Sequence, residues 1–89
     1  MTAQRLKIQN IKGLHARASA KLVEVVEAFD ANATIRKDGE STSGDSIMGL
    51  LMLAASIGTF IEVETSGPQA AELAAAIENL VADKFGEDD

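Results

Sequence analysis

Apolar and polar positions alternate from the start of this chain. In QRLKIQN, Leu6 and Ile8 interleave with Arg5, Lys7 and Gln9, the period-two pattern of a strand with one buried face. It predicts a strand over residues 4 to 9. Asn10 to Leu14 holds Gly13 and breaks the alternation, so it reads as a loop. Beyond it Ala18, Leu22, Val26 and Phe29 recur at helical spacing and predict a helix over about 16 to 28. NATIRK, DG and ESTS form a hairpin pattern, because Asp-Gly suits the tight type I′ turn. Strands are expected over 32 to 37 and 40 to 43.

Ser46 precedes the apolar run IMGLLMLAA, where its hydroxyl can cap a helix of about 47 to 53, reaching 57 if Gly58 ends it in a left-handed conformation. Ile47, Leu50, Leu51 and Ala54 form the expected stripe of that helix. FIEVETS alternates again, Ile61, Val63 and Thr65 on one face, and predicts a strand over 60 to 65. After Gly67-Pro68, Ala70, Leu73, Ala74, Ile77, Leu80 and Val81 follow the i, i+3, i+4, i+7 rule, a helix over about 68 to 84. The order is βαββαβα. One apolar stripe per helix and one apolar face on the outer strands call for an α+β fold: a four-stranded antiparallel sheet with three helices on one face. Residues 1–89 suffice for a single domain, with the acidic tail 86–89 expected to be frayed.

Composition narrows the chemistry. Aromatics are only Phe29, Phe60 and Phe85, so the core should be Leu, Ile and Val. There is no cysteine and one histidine, which rules out a disulfide framework and argues against zinc; no metal and no cofactor are expected. A net charge of −6 opposes nucleic-acid binding. No stretch has the roughly 18–20 apolar residues of a membrane span, and the first residues lack a signal-peptide pattern, so a cytoplasmic protein without membrane insertion is expected. The basic residues Arg5, Lys7, Lys12, Arg17 and Lys21 gather around the single histidine, His15.

GLHARA at 13 to 18, followed about thirty residues later by GDSIMGLLML at 44 to 53, resembles the phosphocarrier HPr family of the bacterial phosphotransferase system, its nitrogen-branch NPr members included. The likeness covers the whole chain, from element order to the GPQ before the last helix, and implies an HPr-like open-faced sandwich. It implies a carrier rather than an enzyme: His15 would take a phosphoryl group on Nδ1 from an Enzyme I type donor and pass it to an Enzyme IIA type acceptor, with Arg17 stabilising the phosphate.

Local physics points the same way. His15 stands where loop gives way to helix, so the free amides of Ala16 and Arg17 and the positive helix end favour an anion there and disfavour the imidazolium, keeping a neutral ring nitrogen as nucleophile. Gly13 gives the loop freedom and leaves space near the ring. Arg17 adds forked donors suited to phosphate. On composition alone, a histidine such as His15 is usually a solvated loop residue and an arginine such as Arg17 more often a solvated helix charge. Where the family usually carries proline after that arginine, this chain has Ala18, with a small effect on stability expected.

Ser46 matches the position that some HPr proteins present to a serine kinase/phosphorylase, and it is also explained as a plain helix cap. The resemblance further implies a partner surface of Ala20, Ile47, Met48 and Leu51 beside the histidine. Met48 suits an adaptable interface, whereas Met52 fits an interface or a core gap equally. A monomer is expected. Three functions stay open: carrier for sugar uptake, regulatory nitrogen-branch protein read through its phosphorylation state, and a small-molecule-binding domain.

Overall fold

The computed structural model describes residues 2–87. The elements are β1 (Thr2–Lys7), α1 (Ala16–Glu27), β2 (Asn32–Lys37), β3 (Glu40–Ser43), α2 (Ile47–Met52), β4 (Phe60–Ser66) and α3 (Ala70–Ala82), closed by a turn at Lys84–Gly86. The strands form one antiparallel sheet in the order β1-β4-β2-β3. β4 is thus central, its Val63 opposite Gln4 on one side and Ile35 on the other. At the hairpin, Asp38 and Gly39 have φ of 51° and 85°, the paired left-handed conformation a type I′ turn requires.

Alternation along the strands divides the sheet into two faces. Ile61, Val63 and Thr65 of β4 and Ala33 and Ile35 of β2 are buried under the helices. α3 crosses β1 and β4, α2 packs on β3, and α1 packs on α2 and α3. The opposite face is open and charged. Arg5 and Arg36 both stand opposite Glu62, the Arg36 guanidinium pairs with Glu64 at 3.5 Å, and Arg5 lies 4.1 Å over the Phe60 ring. This is the expected fold.

Helical spacing sets the core. Ala18, Leu22 and Val26 of α1 and Leu73, Ile77 and Val81 of α3 meet the sheet residues in one cluster. Burying each of the larger aliphatics contributes about 1.5–3 kcal/mol. The largest fully buried side chain is Phe85, so the core is aliphatic with one aromatic plug from the end of the chain.

Several boundaries differ from expectation. β1 spans Thr2–Lys7 rather than 4 to 9; Ile8 lies past it, yet its amide still donates to Thr59 O at 2.8 Å and its carbonyl accepts the Gly58 amide at 2.9 Å. That bond also corrects the role of Gly58, which shapes the turn into β4 and ends no helix. α2 stops at Met52, and Ala54 takes the left-handed conformation with φ 53°. Its buried residues are Leu50 and, just beyond, Leu53; Ile47 and Ala54 are exposed and Leu51 half-buried, so the expected stripe is rotated. α3 begins at Ala70, not 68, because Gln69 is held by the loop after α1: its amide donates to Asp30 O at 3.0 Å and its Oε1 accepts the Asp30 amide at 2.7 Å.

The end of the chain departs most. Lys84, Phe85 and Gly86 are all left-handed, with φ of 54°, 55° and 76°. For a non-glycine residue this conformation costs about 1–2 kcal/mol, and burial of Phe85 offsets it. Lys21 Nζ also donates to Phe85 O at 2.6 Å. The tail expected to fray is therefore placed through Glu87, while Asp88 and Asp89 lie outside the described residues.

Candidate functional site

The loop from Asn10 to Leu14 presents the histidine. Gly13 has φ +65°, and a Cβ there would collide with Ala55 O and meet Ser56 Cα at 2.9 Å. Its necessity comes from the close approach of the segment after α2, not from space beside the imidazole. The Leu14 amide donates to Ala55 O at 2.8 Å, and the buried Ser19 hydroxyl donates back to Leu14 O at 3.2 Å, fixing the chain as it enters α1.

His15 is the N-cap residue of α1. Its backbone is extended, its carbonyl accepts the Ser19 amide at 2.8 Å, and its side chain makes no cap. The first amides of the helix, those of Ala16 and Arg17, have no acceptor within the helix, as geometry requires of any first turn. The His15 side chain is 27% exposed. Arg17 is exposed, and its side chain makes no hydrogen bond or ion pair among the described residues. Ala18, at the place of the usual proline, is fully buried in the core.

One residue reaches the histidine and a second holds that residue, and the local sequence announces neither. His15 Nε2 is in direct hydrogen-bond contact with Glu87 Oε2 across the folded tail. The Glu87 side chain is only 8% exposed. Asn10, fully buried, donates from Nδ2 both to Gly13 O at 2.8 Å and to Glu87 Oε1 at 3.0 Å. The Asn10 bond, then the His15 bond and the charges of His15 and Lys12, hold the Glu87 carboxyl below its ordinary value against an opposing effect of burial. Asn10 Oδ1 is buried without a partner among the described residues, a cost of about 1–3 kcal/mol. No cluster of metal-ligating side chains occurs among the described residues.

Ser46 caps α2: its Oγ accepts the Gly49 amide at 3.1 Å and its carbonyl accepts the Leu50 amide at 3.0 Å. Gly49 is required there, since a Cβ would collide with Thr42 Oγ1. Around this helix Met48 and Met52 are 69% and 74% exposed, with Ile47 beside them, while Ala20 and Leu51 are half-buried. Met52 is therefore surface, not core filling.

Fold and site together define an open-faced βαββαβα sandwich with its single histidine at a helix start. The family described as "PTS HPr component phosphorylation site" matches residues 2–83. The phosphocarrier protein HPr of Neisseria meningitidis serogroup A is 44% identical over 87 residues, 98% of each chain. The phosphocarrier protein NPr of Escherichia coli K12 is 42% identical over 86 residues, 96% of each chain. Among solved structures, HPr of Thermoanaerobacter tengcongensis superposes with a TM-score of 0.94 at 32% identity, covering 99% of both chains. The chain belongs to the HPr family, the phosphocarriers of the phosphotransferase system, which carry a phosphoryl group rather than catalyse its transfer. Membership implies Enzyme I and Enzyme IIA components as partners.

Proposed function

We propose that His15 is the residue that carries the phosphoryl group, through Nδ1, receiving it from Enzyme I and passing it to an Enzyme IIA component. The observation that carries this reading is the uncapped start of α1, with a partly exposed imidazole at the N-cap. Amides without helical acceptors and the positive helix end favour an anion at that place. Arg17, in the first turn and unengaged among the described residues, is the cation that meets the phosphate oxygens. Phosphoryl transfer rests mostly on positioning and electrostatics, so a nucleophile, a cation and a few amides make a competent half-site for a partner that supplies the rest.

The exposed Ile47, Met48 and Met52, bordered by Ala20 and Leu51, form the docking face in this reading. Ser46 lies at its edge. A phosphate from a serine kinase there would place about two negative charges beside the apolar patch and weaken docking. The protein acts as a monomer in the cytoplasm; no helix among the described residues is long and apolar enough to cross a membrane.

Incubation with Enzyme I and phosphoenolpyruvate should yield an acid-labile phosphorylated protein that His15→Ala cannot form. An unlabelled wild type overturns the reading. The second reading, a nitrogen-branch regulator, rests on the likeness to NPr at 42% identity, slightly below the 44% to HPr. Transfer from the labelled protein to a nitrogen-type acceptor alone supports it, and transfer to a sugar-specific acceptor supports transport.

A further inference from the structure

The tail contact makes His15 more than a ring at a helix start. We propose that Glu87 is a positioning residue for His15: its carboxylate holds the imidazole as the Nε2–H tautomer and leaves the Nδ1 lone pair as the nucleophile. This rests on the reading of His15 as phosphoryl acceptor and deepens it.

The tautomer follows from donor and acceptor inventory. An ionised carboxylate only accepts, so the nitrogen facing Glu87 Oε2 must carry the proton. A neutral ring has one such proton, and Nδ1 is then bare. Nδ1 is also the ring nitrogen with no partner among the described residues.

The carboxylate is held from several directions. Its second oxygen, Oε1, accepts from Asn10 Nδ2 at 3.0 Å, and that same nitrogen is fixed by Gly13 O at 2.8 Å in the loop leading to His15. Asn10 is fully buried and leaves its own Oδ1 unpartnered, the sacrifice of one polar atom to point the amide both ways. The backbone bringing Glu87 into place is left-handed at Lys84, Phe85 and Gly86, anchored by the buried Phe85 ring and by Lys21 Nζ on Phe85 O. Backbone in that conformation persists only where surrounding contacts over-determine it.

The step balances without moving a proton. The N–P bond of the donor phosphohistidine breaks and its electron pair returns to the donor nitrogen, while the Nδ1 lone pair of His15 forms the new N–P bond. Positive charge grows on the His15 ring, and the Nε2–H bond to the Glu87 carboxylate stabilises it where it grows. On transfer to the acceptor the Nδ1–P bond breaks, its pair returns to Nδ1, and the Nε2 proton has stayed throughout. An orienting carboxylate on a histidine serves the same purpose in other imidazole sites.

Glu87→Gln tests it on the full-length chain, because glutamine keeps the size and the Asn10 contact but can offer an N–H to Nε2. Ring nitrogen NMR of the wild type should show a protonated Nε2 and a bare Nδ1; Glu87→Gln should shift population towards the Nδ1–H tautomer. The rate of phosphoryl transfer from Enzyme I should fall on the order of tenfold in kcat, with Glu87→Asp, which keeps the carboxylate, falling less. Urea unfolding of the same variants separates this from a loss of fold. Unchanged ring spectra together with transfer within about twofold of wild type overturn the proposal. If the wild type itself takes no label, the acceptor reading fails and the role in transfer with it, and the ring spectra still decide whether Glu87 sets the tautomer.

Discussion

At the start of α2 the Ser46 hydroxyl accepts the Gly49 amide, whereas at the start of α1 the His15 side chain makes no cap and bonds Glu87 instead. Each residue begins a helix with extended backbone and a carbonyl that accepts the first intrahelical bond. One helix spends its capping residue on its own stability. The other leaves its first amides open and has the fold supply a carboxylate to the ring from residue 87. An open start alone does not make a site, since α3 is likewise uncapped at Gln69 and held by Asp30; what sets α1 apart is that its open start carries the histidine, with a carboxylate brought to the ring.

The largest expected effect separates the two. His15→Ala abolishes acid-labile phosphorylation by Enzyme I and phosphoenolpyruvate, while Ser46→Ala leaves it intact; label retained in the histidine variant breaks the contrast. Next comes Arg17→Ala, which should slow transfer on the order of a hundredfold by removing a donor to the developing charge. Its unfolding free energy should stay within about 0.5 kcal/mol, as for other exposed positions. A stopped-flow transfer assay beside a urea titration checks both halves.

Gly13→Ala should cost about 1–3 kcal/mol, since the residue is left-handed and meets Ala55 O. Chemical denaturation measures it. Ser46→Ala should cost about 1 kcal/mol through the lost cap; in a Glu87→Ala background, where the bond to the ring is already gone, His15→Ala should cost close to none, because no cap is lost there. Equal losses in the two variants would mean that the helix starts do not differ as described.

The smallest effect is a titration. The Glu87 carboxyl is depressed below its ordinary value of 4.5, first by Asn10 and then by His15. A depressed carboxyl contributes stability that is complete above its unfolded value and is lost as pH falls through the folded one. Carbon NMR of the Glu87 carboxyl should therefore show a midpoint below 4.5. The midpoint should rise more in Asn10→Ala than in His15→Ala.

How much of this could be read from the chain depends on how local the cause is. The strands and the hairpin were legible because alternation and Asp38-Gly39 act on neighbours. The placement of His15 and Arg17 at one helix start was legible because two residues of spacing put both in one helical turn. The buried side of α2 was misread because Ile47–Met52 is under two turns, too short for a periodic stripe to choose between Leu51 and Leu53. Glu87 and Asn10 carried no local signal at all. A bond across 72 positions, reached through left-handed Lys84 and Phe85, is set by tertiary packing, and acidic residues near the end of a chain ordinarily belong to solvent.

The central place of β4 bears on how the protein is made. β1 and β2 both take their inner neighbour from Phe60–Ser66, so during synthesis each waits for a strand that leaves the ribosome after two helices and the β2–β3 hairpin. The hairpin can close at once, in about 1–10 µs. The sheet cannot. Pairing of Thr2 with Thr65 closes a long loop late, and a nascent chain stopped short of β4 leaves β1 without a neighbour and the β2–β3 hairpin with one open edge. Completion of the sheet thus waits for β4, and the tail that reaches the histidine is made only after it.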